Sequence, residues 1–213
     1  TYNLFVVEDA AQAIDSYYTG KDGVKRPLGS IGHLAAFSFH ETKNIISGEG
    51  GLLVINDEHF VERAEIIWEK GTNRSAFFRG EVNKYGWVDT GSSFLPSEII
   101  AAFLWAQIEN LDAIQQKRVL LCSYYFSEIS KLTLREFKLP VVPDFATNNG
   151  HMFFVKCKNT AQRTELINKL KAKNNSKIRC LLYFQSNVFF LKWAIIWTIS
   201  PVRPNTFLLI SRS

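Results

Sequence analysis

The sequence contains few cysteines and no long apolar run, and these absences exclude several classes of protein. Cys122, Cys157 and Cys180 are scattered over 213 residues, in spacings that match neither a disulfide framework nor a metal site. The longest late apolar run, 188–199, contains Lys192 and is too short to span a membrane. Only 12 residues are glycine and 46% are hydrophobic, which excludes collagen-like and disordered chains. The composition favours a folded cytoplasmic protein that binds no metal and no membrane.

Acidic residues are missing after Glu165, although eight basic residues follow it. The net charge of +5 therefore comes from the C-terminal end, since residues 1–165 carry 17 basic and 20 acidic side chains. Nucleic-acid binding requires basic residues clustered on one face of a folded element, so we expect no nucleic-acid partner. From about Ser176 no helix or strand period is recognisable, and we interpret 176–213 as an aberrant or frameshifted tail. The alternative, a basic apolar segment lying on a membrane or partner, lacks an amphipathic face.

The rest of the chain predicts alternating strands and helices, which indicates an α/β fold. Apolar runs rich in β-branched and aromatic residues predict strands at 4–7, 34–39, 51–55 and 152–157. Helical spacing of apolar residues predicts a helix that is capped by Asn56 or Asp57 and ends just before Gly71. It also predicts helices from Pro96 toward Tyr125 and over 160–173. The stretch 71–93 is rich in glycine and polar residues and is too long for a simple connection, so it predicts a functional or interface loop.

An acidic residue ends the first predicted strand, within the run Val7-Glu8-Asp9-Ala10-Ala11-Gln12-Ala13. Open α/β sheets hold their ligands at the carboxyl ends of strands. A carboxylate at Asp9 can pair with a cationic ring nitrogen and keep it protonated, because opposite charges stabilise each other in a low dielectric. Gln12 could donate a hydrogen bond to an oxygen of the same ring. By itself, an aspartate at a strand end is more often a helix cap.

A second polar stretch, Ser38-Phe39-His40-Glu41-Thr42-Lys43-Asn44, ends the strand predicted at 34–39, and Gly48-Glu49-Gly50-Gly51 follows. It presents the amine of Lys43 before a loop whose glycines permit close approach of the backbone to a ligand. A lysine beside a cationic cofactor and partly withdrawn from water loses proton affinity, so its neutral amine can act as nucleophile and proton carrier. The Ser38 hydroxyl could bind a phosphate. Taken alone, a lysine is usually a solvated surface residue.

Together the two stretches resemble the DegT/DnrJ/EryC1/StrS family of pyridoxal-phosphate sugar aminotransferases. The motifs V-E-D-A-A-Q-A and S-F-H-E-T-K-N…G-E-G-G place Asp9 34 residues before Lys43. A third match is G-S-S-F-L-P-S-E-I-I-A-A-F-L-W-A-Q, from Gly91 onward. The resemblance runs from Phe5 to about Leu170 and corresponds to a little over half of such an enzyme.

The resemblance implies a role for each residue of the two motifs. Lys43 stands where the family's lysine binds pyridoxal phosphate covalently and moves the substrate proton. Asp9 stands where a carboxylate pairs with the pyridine nitrogen, and Gln12 where a side chain lies near the ring's phenolic oxygen. Ser38 matches a ligand of the phosphate. His40 is either beside the cofactor or a structural histidine bonded to the loop backbone.

The resemblance also implies a fold, a cofactor and partners. The fold would be fold type I of the pyridoxal-phosphate-dependent transferases. Residues 1–140 would form the C-terminal part of the cofactor-binding large domain, with a mixed, mostly parallel sheet and flanking helices. Residues 141–175 would begin a small α+β domain. Pyridoxal 5'-phosphate would be the cofactor, glutamate and a nucleotide-linked 4-keto-6-deoxyhexose the substrates, and a homodimer the assembly.

This sequence differs from the family pattern at one position and lacks some of the family's features. Ser93 stands where many relatives carry an asparagine that reaches the phosphate of the partner subunit's cofactor, and we keep Ser93 as a candidate for that contact. The family's upstream phosphate-binding turn and stacking aromatic have no counterpart, so we expect this chain to be an inactive fragment. A non-catalytic interaction fragment is one alternative. A related sugar dehydratase is another, but that enzyme has histidine where Lys43 stands.

Overall fold

The computed structural model describes residues 4–132, 137–173 and 188–191, the last by its backbone alone. Its strands are β1 (Val7–Asp9), β2 (Tyr17–Thr19), β3 (Lys25–Pro27), β4 (Leu34–Ser38), β5 (Gly51–Ile55), β6 (Phe153–Lys156) and β7 (Val188–Leu191). Its helices are α1 (Val61–Trp68), α2 (Arg74–Phe78), α3 (Glu98–Glu109), α4 (Leu111–Ser130) and α5 (Thr160–Ala172), with a 3-10 turn at Glu58–Phe60 before α1. The aberrant tail expected at 176–213 lies outside the described residues except for β7.

The described residues form two compact units. The first contains 4–14 and 26–109, and the second contains 15–25, 110–132, 137–173 and 188–191. Both candidate cofactor-binding stretches belong to the first unit. The domain boundary expected near residue 140 stays a prediction.

A three-stranded mixed sheet, in the order β1-β4-β5, organises the first unit. β1 runs parallel to β4, with Val7 opposite Leu34 and Asp9 opposite Ala36. β5 runs antiparallel to β4 and ends the pairing with Ser38 opposite Gly51. The strands β4 and β5 coincide closely with the predicted ones, because each is an apolar run bounded by polar or glycine-containing residues. The first strand, in contrast, begins at Val7 and not at Leu4.

Local sequence signals fix the ends of α1 and α5. The Asp57 carboxylate accepts the backbone N–H of His59 and caps the turn that leads into α1, which selects Asp57 from the two cap residues that the sequence allowed. Asn159 accepts the N–H of Gln162, and the Gln162 side chain accepts the N–H of Lys158 at the start of α5. The first of these bonds satisfies an N–H group that the first helical turn leaves without a partner, and the second ties the residue before the cap to the helix.

Besides the first strand, a hairpin, a short helix and the long helix differ from the sequence-based prediction. The hairpin strands β2 and β3 and the five-residue helix α2 were not predicted. The long helix expected from Pro96 is two helices, because Asn110 adopts φ −105° and ψ 14° between α3 and α4. Asparagine has a low helix propensity, and its short polar side chain tolerates such non-helical angles.

The second unit has its own apolar core, built on α4 and β6. Cys122, Phe153 and Val155 are buried together, and the Tyr125 ring stacks on Phe153 at 5.6 Å between centroids. Burial raises the pKa of the Cys122 thiol and of Tyr125. Both Cys122 and Cys157 are free thiols. None of the helices in the described ranges combines the length and the hydropathy that a membrane crossing requires.

Candidate active site

The carboxyl ends of β1 and β4 meet at one edge of the sheet, because these strands are parallel. Asp9, the last residue of β1, is the register partner of Ala36, and Ser38 ends β4 two residues later. Register partners in a sheet share a face, and so do residues two apart along a strand. Asp9, Ala36 and Ser38 therefore lie on the same face, near the edge from which the Lys43 loop leaves.

The two adjacent acids of β1 lie on opposite faces and have different surroundings. The Glu8 carboxylate accepts three backbone N–H groups of one turn, from Gly29 at 2.8 Å, Ile31 at 2.7 Å and Gly32 at 2.6 Å. Partial burial raises the pKa of Glu8, but these three hydrogen bonds outweigh it and bring the pKa below its ordinary value. The Asn56 amide completes the clamp by donating to the carbonyls of Gly29 and Gly32, both at 2.9 Å.

Asp9, in contrast, is exposed on the open face of β1. Its Oδ1 atom accepts the backbone N–H of Ala11 at 3.1 Å, the one hydrogen bond that the described part of the chain gives this carboxylate. Ala36, its register partner, is also exposed, whereas the neighbouring Ala35 on the other face is fully buried. The open face thus offers a carboxylate beside a small side chain, which is suited to a flat cationic group.

Lys43 lies within a tightly closed loop between β4 and β5. The backbone at the base of the loop pairs twice, from the N–H of Phe39 to the carbonyl of Gly50 and from the N–H of Ser47 to the carbonyl of Phe39. Closer to Lys43, the N–H of Glu41 donates to the carbonyl of Gly48 at 2.9 Å. These hydrogen bonds join the two ends of the loop to each other. The Lys43 residue itself is half-buried.

Buried side chains anchor the loop directly after Lys43. Asn44 is 4% exposed and Ile45 is 1% exposed, so both side chains are buried. Ser47 is also buried, and its hydroxyl donates to the carbonyl of Glu49 at 3.0 Å. A chain fixed in this way presents its lysine from a rigid support, which suits a nucleophile or proton carrier.

His40 is bonded to the backbone of the Lys43 loop, which is one of the two roles that the sequence left open. Its Nδ1 atom accepts the backbone N–H of Thr42 at 3.1 Å and lies 2.8 Å from the Thr42 hydroxyl. Its Nε2 atom faces the Glu49 carboxylate at 3.5 Å. Its backbone N–H donates to the Ser38 hydroxyl oxygen at 3.4 Å.

The two remaining candidates are placed differently. Gln12 is exposed in the turn after β1, where the N–H of Ala13 donates to the carbonyl of Ala10. Ser93 pairs with Glu69 through an isolated β-bridge at the end of the 71–93 segment. The contacts described for Ser93 do not include the Lys43 loop. Among the described residues, no group of three or more His, Cys, Asp and Glu side chains is able to hold a metal ion.

The sequence reasoning missed the roles of Glu8 and Thr42. The signal for Glu8 was present, since neighbouring strand residues face opposite sides of a sheet and two adjacent acids cannot share one site. Its three donors come from a turn more than 20 residues later, however, and this non-local pairing has no sequence pattern. Thr42 is part of the predicted motif, but its side chain and N–H serve His40 and not a ligand.

Comparison with known proteins identifies the family. The family model described as the DegT/DnrJ/EryC1/StrS aminotransferase family matches residues 1–192. The chain belongs to this family. The spore coat polysaccharide biosynthesis protein SpsC of Bacillus subtilis is 30% identical over 183 residues, which is 82% of this chain and 44% of that protein. The GDP-perosamine synthase of Caulobacter vibrioides is 29% identical over 154 residues, or 72% of this chain and 37% of the synthase.

Solved structures of sugar aminotransferases have the same fold. DesV of S. venezuelae, solved with a ketimine intermediate, is 28% identical with a TM-score of 0.64, and the match covers 79% of this chain and 41% of DesV. CalS13 of Micromonospora echinospora gives a TM-score of 0.66 at 22% identity, over 80% of this chain and 43% of CalS13. The expected fold class, part of a type I transferase with a mixed sheet, is confirmed, and the family to which the chain belongs is one of aminotransferases. The chain spans less than half the length of the curated relatives it matches.

Proposed function

We propose that this chain is the part of a pyridoxal-phosphate-dependent sugar aminotransferase that carries the cofactor lysine and the acid for the ring nitrogen. The proposed donor is glutamate, and the proposed acceptor is the C4 ketone of dTDP-4-dehydro-6-deoxyglucose. The product would be dTDP-4-amino-4,6-dideoxygalactose, made in the cytoplasm for a cell-surface polysaccharide such as enterobacterial common antigen.

The observation that carries the proposal is the location of Lys43 in a closed loop directly after Ser38, at the sheet edge where Asp9 ends β1. These residues fit a flat heterocycle with a phosphate group. The Asp9 carboxylate suits a cationic ring nitrogen, the small Ala36 leaves room for the ring, and the Ser38 hydroxyl suits a phosphate oxygen. Gln12, in the turn after Asp9, is proposed to bind the ring's phenolic oxygen.

The residues divide the chemistry between them. Pyridoxal phosphate, when bound, supplies the electron sink that lets an amino group leave one carbon and join another. Asp9 would hold the ring nitrogen in its protonated form, because removing the proton would leave an unpaired carboxylate beside it. Lys43 would hold the cofactor and afterwards move one proton between the substrate carbon and the cofactor carbon. Ser38 would fix the phosphate and so orient the ring.

The finer identity of the sugar rests on motif resemblance. The stretch from Phe5 to about Leu170, including the residues from Gly91 to Gln107, resembles dTDP-4-amino-4,6-dideoxygalactose transaminase. Among the relatives, the Caulobacter protein is named as a synthase of GDP-perosamine, itself a nucleotide-linked amino sugar. A nucleotide-linked keto sugar is therefore the substrate class that we assign.

A homodimer is the proposed assembly, with the 71–93 segment at its interface. This segment exposes large aromatic side chains, with Phe78 at 72% and Trp87 at 77% exposure, and Phe94 next to it is exposed as well. Aromatic residues are enriched in the cores of protein interfaces. Ser93, at the end of the segment, is proposed to reach the phosphate of the partner subunit's cofactor.

Reductive trapping tests the assignment of Lys43. The full chain is incubated with pyridoxal phosphate, reduced with borohydride and mapped by peptide mass spectrometry. Because reduction fixes even a weakly populated linkage, the label should accumulate on Lys43, disappear in Lys43→Ala, and persist in Lys84→Ala, which removes an exposed lysine of the same unit. A label that is spread over surface lysines and insensitive to Lys43→Ala would refute the assignment.

A further inference from the structure

His40 forms a local hydrogen-bonded arrangement with the two residues Thr42 and Lys43, which we call the lock. The Thr42 backbone N–H donates to Nδ1 of His40 at 3.1 Å. A peptide nitrogen can only donate, so Nδ1 must be unprotonated, and the neutral ring carries its hydrogen on Nε2. The Thr42 hydroxyl, 2.8 Å from the same atom, can then also donate to it.

The remaining contacts of His40 extend the lock on both sides of the ring. The backbone carbonyl of His40 accepts the N–H of Lys43 at 2.9 Å, so one residue binds the peptide groups of both Thr42 and Lys43. Nε2, which carries the hydrogen, faces the exposed carboxylate of Glu49 at 3.5 Å. This arrangement favours the same tautomer, because a carboxylate attracts an N–H group and repels a lone pair.

We propose that the Nδ1 acceptor of His40 is the positioning element for Lys43, holding the Glu41–Thr42 peptide, directly before Lys43, in the orientation from which the amine reaches its ligand. The proposal rests on the assignment of Lys43 above. His40 acts through Thr42 and the loop, and it contributes no proton and no ligand contact of its own. The side chain at position 40 must supply a hydrogen-bond acceptor for the backbone N–H of Thr42, two residues later.

Two substitutions of His40 test this requirement, one that keeps the acceptor and one that removes it. An asparagine side chain binds the backbone N–H two residues later in an Asx turn, which is the contact that His40 makes. His40→Asn should therefore keep the lock, whereas His40→Ala removes the acceptor. His59→Ala, which removes an exposed histidine of the same unit, serves as the matched control.

Amide hydrogen exchange of the full chain, followed by NMR, tests the lock without cofactor. The Thr42 amide should exchange about tenfold faster in His40→Ala, as expected for the loss of one hydrogen bond, and at nearly the native rate in His40→Asn and His59→Ala. Long-range ¹⁵N spectra should show the hydrogen of the native His40 ring on Nε2. A ring protonated on Nδ1, or equal Thr42 exchange in native and His40→Ala chains, would overturn the proposal.

Trapping with pyridoxal phosphate and borohydride tests the consequence for Lys43. The yield at Lys43 should fall about tenfold in His40→Ala and return to within about twofold of native in His40→Asn. Equal yields in the native and alanine chains would overturn the positioning role. If the native chain gives no label on Lys43, the proposed function fails, and the exchange measurement still decides whether the lock exists.

Discussion

Asp9 on β1 lies opposite Ala36 on β4, and this pairing puts the Asp9 carboxylate on the face of the sheet that also carries Ser38. The adjacent Glu8 faces the other side of the sheet, and its carboxylate accepts three backbone N–H groups. One strand thus separates an acid that supports the fold from an acid that is open to a ligand. Each of these assignments predicts a different response to amide substitution.

Asp9→Asn should weaken cofactor binding without disturbing the fold. The asparagine oxygen can still accept the Ala11 N–H, but it carries no charge to hold a ring nitrogen protonated. An opposite charge at close range shifts a pKa by about 1–3 units, so the pyridoxal phosphate concentration for half-maximal trapping at Lys43 should rise at least about tenfold. Glu62→Gln removes an equal charge from an exposed position of α1 and should leave that concentration unchanged. Similar curves for Asp9→Asn and native chains would exclude Asp9 as the ring's partner.

Ala36→Leu should block the open face by filling it. Ala36 is exposed, so a larger side chain meets no core residue, and the free energy of unfolding should change by no more than about 0.5 kcal/mol. A bulky side chain where the ring is proposed to lie should nevertheless reduce trapping at Lys43 by about tenfold or more, the usual effect of overfilling a packed site. Ala113→Leu, on an exposed position of α4, provides the comparison. Undiminished trapping in Ala36→Leu would place the ring elsewhere.

The elements that the sequence predicted best are those whose signal is local. β4 and β5 are apolar runs on either side of a glycine-containing loop, and Asp57, one of the two expected cap residues, caps the turn before α1. The break at Asn110 has only a weak local signal, because one residue of low helix propensity is outweighed by an apolar helical pattern that continues on both sides of it. The helix α2 lies in a polar stretch where loops and short helices have similar composition.

The candidate site shows the same difference between local features, which the sequence predicts, and non-local ones, which it does not. Its motif residues were predictable because Asp9 and Ser38 end strands and Lys43 follows one of them in a short loop. The parallel pairing of β1 with β4 joins residues that are distant in the sequence, and so do the hydrogen bonds from Gly29 and Gly32 to Glu8. Neither could be predicted from a local pattern. Ser93 illustrates a further limit, since its candidate role depends on a second subunit.

Glu8→Gln should destabilise the chain in a manner that depends on pH. The folded-state pKa of Glu8 is lowered, so its contribution to stability is present above the ordinary glutamate pKa of about 4.3 and is lost as the pH falls through the folded-state value. At pH 7 the free energy of unfolding should fall by about 1.5–3 kcal/mol, the range for hydrogen bonds to a charged group. Urea titrations at pH 7 and pH 4 should show the difference between the two chains shrinking at the lower pH. Glu58→Gln, an exposed acid in the turn before α1, should show a smaller and less pH-dependent effect. A difference of the same size at both pH values would mean that shape, and not charge, is what Glu8 supplies.

Gly71→Ala should open the 71–93 segment, because Gly71 is where that segment crosses the end of α1. Its φ is +77°, its carbonyl accepts the N–H groups of Val88 and Asp89, and a side chain there would collide with the backbone of Asp89 and Gly91. Gly80 provides a matched control within the same segment, since its φ is +74° and a side chain would have no atom within 4 Å. Both alanine variants bear the cost of the left-handed conformation, about 1–2 kcal/mol, and Gly71→Ala alone adds the collision. Urea unfolding should therefore find Gly71→Ala less stable than Gly80→Ala by roughly 2 kcal/mol or more, with faster proteolysis confined to the segment. Equal losses in the two variants would show that backbone conformation alone, and not the crossing at Asp89, accounts for the glycine.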